Sequence, residues 1–257
     1  MGSSHPHVVC TIAARMTSTR LPGKVLKPIM GRPSLDLMLE RVRRTSGLST
    51  IVVATTTNKT DEPIIDLANQ LGYQVFRGSE HDVLGRIAGA ARKYEADVLV
   101  ELTSDCIAID PIAIKQCIDE HLQGGADYTS NSLIRTYPVG MDTHIFPIEV
   151  ILESERLAIS SDEREHVGLY IYRRPENYRL RNVTAPANAT EPNLHLTLDT
   201  AEDYAMLTAL FEGIYPENPN FTSVDVINFL RNHPEIVAIN QQTIRNKSAS
   251  EYFAENG

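Results

Sequence analysis

The 257-residue chain carries 33 acidic and 24 basic side chains, a formal charge of -9, and is 42% hydrophobic. A chain of this size hides roughly 70–75% of the surface its unfolded form exposes, which excludes a disordered protein and a mini-protein that depends on disulfides or a structural metal. The net negative charge argues against general nucleic-acid binding and against retention on an anionic membrane, and no 18-residue apolar run is present to cross a bilayer.

The opening MGSSHPH lacks the cationic and apolar regions of a secretory leader, so a cytoplasmic address is expected. His7 to Ala13 (HVVCTIA) is an apolar, β-branched run of strand length, and the loop after it carries Pro22, Gly23 and several cationic side chains. Pro33 opens a helix with Leu35, Met38, Leu39 and Val42 at helical spacing, ended by Ser46-Gly47, and Ile51 to Ala54 follows as a second strand. Asp61 precedes a helix that stops at Gly72; Tyr73 to Phe76 is strand-like, and Val83 to Tyr94 is an amphipathic helix. Asp97 to Leu102 is a fourth strand, and Asp110-Pro111 starts a helix through Leu122. Strands alternating with helices in this way predict an α/β fold, a mostly parallel sheet covered on both faces.

After Gly124-Gly125 the rhythm changes, and about 130–185 reads as an inserted arm with a helix over Glu165 to Arg173. Leu194 to Leu198 (LHLTL) is expected to return as a strand and Asp199 to Ile214 as a helix; the polar tail beyond Lys247 is expected to fray. The whole chain, 1–257, is therefore expected to be one domain, with a core of about 7–129 and 186–245. Cys10, Cys106 and Cys117 are odd in number, without C-x-x-C spacing, and suit buried thiols in a reducing compartment.

Three places carry candidate chemistry. The loop Ala14 to Lys24 follows the first strand, where open parallel sheets place their ligand crevice. Eight basic residues stand against two acidic ones between Ala13 and Arg44, a local charge of +6 that leaves -15 on the rest of the chain. The loop amides, the guanidinium fork of Arg20 and the point charge of Lys24 suit a polyphosphate, although Ser18 and Val25 break the Walker A pattern. A solvated basic face is the alternative. Asp105 follows the fourth strand and suits a magnesium carboxylate or a plain turn aspartate. Asp199 follows the expected last strand and suits the same metal, or a capping box with Glu202. The remaining histidines show no paired metal-ligand spacing, so zinc catalysis is not expected.

The segments A-R-M-T-S-T-R-L-P-G-K-V-L, T-S-D-C-I-A-I-D-P, S-N-S-L-I-R-T-Y-P-V-G-M-D, R-E-H-V and L-T-L-D-T-A-E-D resemble the cytidylyltransferases of spore-coat and surface polysaccharide biosynthesis. Those enzymes are grouped with the CMP-3-deoxyoctulosonate and CMP-acylneuraminate synthetases. The resemblance covers most of residues 7–214. It implies a Rossmann-like nucleotidyltransferase sheet, CTP and Mg2+, pyrophosphate release, an acidic sugar acceptor, and a homodimer built through the arm. By the same resemblance, Arg15, Ser18, Arg20 and Lys24 would bind the triphosphate, with Lys24, Arg20 and Asp105 in catalytic roles. Asp105 and Asp199 would hold magnesium, the backbone at Ala13 and Ala14 would lie by the cytosine, and Asn131, Tyr137, Asp142, Arg164, Glu165 and His166 would line the acceptor pocket. Thr17 stands where the family has glycine, and Ser104 and Ile107 where glycine and proline are common. The implied reaction transfers CMP to the anomeric hydroxyl of a 3-deoxy-2-ulosonic acid. A sugar 1-phosphate or phosphonate acceptor, a glycosyltransferase using a nucleotide sugar, and a non-catalytic nucleotide-binding module remain as alternatives.

Overall fold

The structure is a computed structural model that describes residues 5–243. The tail beyond Lys247 lies outside the described residues. A seven-stranded sheet runs in the order β5 (Gln74–Gly78), β4 (Thr50–Thr56), β1 (Val8–Ala13), β6 (Val98–Thr103), β8 (His144–Pro147), β7 (Tyr128–Ser130), β9 (Leu180–Asn182). The pairs β5–β4, β4–β1, β1–β6 and β7–β9 are parallel, and β8 is antiparallel to both β6 and β7. One reversed strand in an otherwise parallel sheet matches the expected architecture. A two-residue hairpin, β2 (Pro28–Ile29) with β3 (Arg32–Pro33), leads into α1 (Ser34–Val42).

Period-2 alternation in β1 divides the core. Val8, Cys10 and Ile12 face one cluster, with Leu39 of α1, Ile64 of α2 (Glu62–Gln70), Ile114 of α4 (Pro111–Leu122), Leu207 of α8 (Ala201–Ile214) and Ile227 of α9 (Ser223–Asn232). Val9 faces the other, with Ile87 of α3 (Val83–Lys93), Ile151 of α5 (Ile148–Leu157) and Leu169 of α7 (Leu169–Tyr172). Each such side chain, fully buried, contributes about 1.5–3 kcal/mol, which is why a near-continuous apolar strand is buried on both faces. The three cysteines are free and buried, and no helix among the described residues is long and apolar enough to cross a membrane.

Four expectations change. Leu194 to Leu198 does not form a strand: it makes a single parallel bridge, His195 to Val139, while Leu198 N donates to Asp105 O at 2.9 Å. Gly140, at φ +96°, permits this approach, since a Cβ there would lie 2.7 Å from the Leu196 carbonyl carbon. The helix expected over Glu165 to Arg173 is two short helices, α6 (Ser161–Glu165) and α7, broken at His166 to Gly168. The helix expected from Asp199 begins at Ala201, with Thr200 and Asp203 forming the capping box in place of Asp199 and Glu202. Residues 130–185, expected as an arm, contribute β8 and β9 to the central sheet and place α5, α6 and α7 between them.

Candidate functional site

The loop after β1 is closed at its base by Gly23 N donating to Met16 O at 2.9 Å, with Gly23 at φ +69°. Lys24 then begins a single 3-10 turn over Lys24–Leu26, which directs its side chain back towards the ends of the strands. Its ammonium lies 2.8 Å from Asp199 Oδ1 and 3.3 Å from Asp105 Oδ2, with the side chain 12% exposed. Arg20 Nη2 reaches Asp199 Oδ1 at 3.1 Å. Residues 81 and 175 positions from Lys24 in the chain thus meet on one cation.

Local structure explains the meeting. Asp105 leaves the end of β6 and its Oδ1 accepts from Thr103 Oγ1 at 2.5 Å. The Leu198 amide bonded to the Asp105 carbonyl sets Asp199 beside it, and the capping of α8 by Thr200 and Asp203 leaves the Asp199 carboxylate to Lys24 and Arg20. Burial opposes charge on Lys24, but the two carboxylates more than offset it and hold the ammonium above its ordinary range. Burial likewise opposes ionisation of Asp105, and Lys24 with the Thr103 hydroxyl brings its carboxyl below the ordinary range. Two carboxylates around one central cation form an arrangement that a divalent ion fits, with phosphate oxygens and water completing the shell. Among the described residues no group of three or more His, Cys, Asp or Glu side chains is placed to hold a metal alone.

The other expected nucleotide residues line the same strand ends. Ala14 N donates to Ala54 O at 3.1 Å and Ala13 O accepts from Ser104 N at 3.0 Å, so these groups extend the sheet. Ser18 is half-buried in the loop. Arg15 lies between Glu80, at 3.5 Å, and Glu165, at 3.6 Å.

The acceptor side differs from expectation. Asn131 is fully buried, its amide nitrogen donating to Met141 O at 2.8 Å and its oxygen accepting from Thr143 N at 2.9 Å. Tyr137 is buried in the core and donates to Gln116 Oε1 at 2.8 Å. Both therefore shape the 131–143 segment from within rather than facing a pocket, because a planar amide between two backbone groups is a good internal brace. Asp142 pairs through both oxygens with Arg135, at 2.6 and 2.8 Å. Arg164 donates to Ala158 O at 3.1 Å and lies 3.4 Å from Asp82. Glu165 and His166 are exposed at the end of α6, which opens on a Ser160/Glu163 capping box.

Sequence reasoning missed three acids. Asp61, fully buried, accepts from Met16 N at 2.9 Å and from Thr55 and Thr56. Glu80 receives Thr17 Oγ1 and Asn58 Nδ2. It follows a parallel strand's carboxyl end, the position rule that singled out Asp105. Glu101, 5% exposed on β6 opposite Thr11 and His144, is pushed up to about 8 by burial, with Asp105 adding to the effect.

A cytidylyltransferase family model matches residues 9–242. The spore coat polysaccharide biosynthesis protein SpsF of Bacillus subtilis (strain 168) is 33% identical over 233 residues, covering 89% of this chain and 95% of that protein. A 3-deoxy-manno-octulosonate cytidylyltransferase of Trichlorobacter lovleyi is 28% identical over 236 residues, covering 80% and 87%. The solved structure of a cytidylyltransferase from Leptospira borgpetersenii serovar Hardjo-bovis superposes with a TM-score of 0.87 at 33% identity, covering 94% of this chain and all of that one. With a cationic loop meeting Asp105 at the end of β6 and Asp199 just before α8, the chain belongs to the cytidylyltransferase family and is a nucleotidyltransferase.

Proposed function

We propose that the enzyme transfers CMP from CTP to the anomeric hydroxyl of a 3-deoxy-2-ulosonic acid, nonulosonic or octulosonic, and releases pyrophosphate for surface polysaccharide biosynthesis. The observation that carries this is the convergence of Lys24 on Asp105, just past β6, and on Asp199, which Arg20 also meets. The acceptor oxygen forms a bond to the α-phosphorus as the bond to the β-phosphate oxygen breaks in line, and the hydroxyl proton is lost to solvent. Lys24 and Arg20 stabilise the charge that builds on the leaving pyrophosphate. Asp105 and Asp199 would hold Mg2+, which when bound supplies charge neutralisation and polarises the acceptor oxygen. Arg15 and Ser18 are assigned to the triphosphate, and the Ala13–Ala14 backbone to the cytosine. Arg164, Glu165, His166 and Asp142 are assigned to the acceptor side, in a homodimer that joins through residues 130–185 in the cytoplasm.

The activity in the name of the Trichlorobacter relative and the polysaccharide role in the name of the Bacillus relative support this acceptor class. A pyrophosphate-release assay with Mg2+, each of four nucleoside triphosphates and a panel of ulosonic and phosphorylated acceptors tests the reading, with product mass read afterwards. Release with CTP and a 2-keto-3-deoxy acid is the expected result; release only with a sugar phosphate overturns the acceptor, and release only with another triphosphate overturns CTP.

A further inference from the structure

Thr17 lies in the loop after β1 with its backbone outside the left-handed region: among the described residues, Met30 and Glu95 are the non-glycine positions with positive φ. Its hydroxyl instead donates to Glu80. The same carboxylate accepts from Asn58 Nδ2 at 2.5 Å and lies 3.5 Å from Arg15 Nη1. Three donors thus meet on one acid. Two belong to the loop after β1, the third to the connection after β4, and Glu80 itself follows β5, so the contact joins the ends of three adjacent strands. The Thr17 hydrogen bond, the largest influence on this group, holds the Glu80 carboxyl below the ordinary range against the opposing effect of burial, so it remains a charged acceptor at neutral pH.

Asp61 provides the companion restraint by holding the Met16 amide at 2.9 Å. Residues 15–17 are therefore fixed by two carboxylates from outside the loop, while Thr19 and Arg20 at its tip are exposed. A loop ordered before the ligand arrives does not pay for that ordering on binding. Arg15 is held in the same way: Nη1 faces Glu80 and Nη2 faces Glu165 at 3.6 Å, contacts long enough to orient the guanidinium without saturating its five donors.

We propose that Glu80 is a positioning residue for the nucleotide loop, acting through Thr17 and Arg15 to preset it for CTP. The tether fixes the loop by a side-chain bond, with no unusual backbone conformation. The proposal rests on the reading that this loop takes the triphosphate. A carboxylate near a polyanion otherwise weakens binding by repulsion, so the sign of the effect decides between positioning and mere proximity.

The test is calorimetric titration of the full chain with CTP and Mg2+, without acceptor, alongside thermal denaturation of each variant. Thr17→Val is expected to weaken CTP about tenfold, and Thr17→Ser, which keeps the hydroxyl, to stay within about twofold of the unaltered protein. Glu80→Ala is expected to weaken CTP by tenfold or more, and the Thr17→Val/Glu80→Ala double variant no further than Glu80→Ala alone. Equal or tighter CTP binding by Glu80→Ala overturns the proposal, as do independent, multiplying losses in the double variant. Should Glu80→Ala fail to fold, the Val and Ser variants of Thr17 decide, and equal affinity in the two overturns it. Absence of CTP binding by the unaltered protein would instead overturn the functional reading itself.

Discussion

The crevice has two sides that are built differently. At the ends of β5, β1 and β6, charged groups from distant parts of the chain face one another: Lys24 with Asp105 and Asp199, and Arg15 with Glu80. Towards β8 and β7, Asn131 and Tyr137 point inward and Asp142 is closed on Arg135. The parallel half gathers partly exposed charge that an incoming ligand can re-pair. The other half uses its polar side chains to hold its own backbone, as Asn131 does between Met141 and Thr143.

Variants can break or sharpen this contrast. The largest effect belongs to the carboxylate pair: Asp105→Asn should lower turnover about 10³-fold, or about 4 kcal/mol of transition-state stabilisation, with far less effect on thermal stability. Near-native turnover in a steady-state assay would remove Asp105 from the chemistry.

Glu101 tests the buried half by pH. Its folded pKa of about 8 lies above that of an ordinary carboxyl, so between about pH 5 and 8 the unfolded chain ionises while the folded one keeps its proton. Stability contributed by the neutral acid is present at low pH and lost as pH rises through that window. Glu101→Gln should therefore match the unaltered protein near pH 5 and exceed it near pH 8, by on the order of 3 kcal/mol. Parallel denaturation midpoints across the range would contradict the burial argument.

Asn131→Ala leaves the Met141 carbonyl and the Thr143 amide without their partners and should cost about 2 kcal/mol in chemical denaturation. A change confined to the acceptor's KM, with stability untouched, would restore Asn131 to the pocket. The smallest effect is expected at His166, exposed at the end of α6: His166→Ala should raise the acceptor's KM several-fold and spare that of CTP. Equal changes in both would place His166 outside acceptor recognition.

The contrast also explains what could be read in advance. Apolar strands alternating with capped helices foretold the parallel half, and the rule that ligands gather at strand ends located Arg20, Lys24 and Asp105. Asp199 was ambiguous, because helix capping and metal binding ask for the same residue type. Its release depends on Thr200 and Asp203 forming the cap, a choice of one residue in register. Leu194 to Leu198 has strand composition, but its amides go to Val139 and Asp105, and only the folded chain reveals those partners. Asn131 and Tyr137 fall in a matching motif, yet motif position does not say whether a polar side chain faces a ligand or braces a loop. Glu80 and Asp61 act through contacts 63 and 45 residues away in sequence, beyond any local pattern.

The central claim is that Asp105 and Asp199 share one cation with the nucleotide tail. Electron paramagnetic resonance of Mn2+ titrated into the protein with CTP tests it most directly. The account predicts that CTP-dependent Mn2+ binding is lost or strongly weakened in both Asp105→Asn and Asp199→Asn; Mn2+ binding with unchanged affinity in either variant would contradict it.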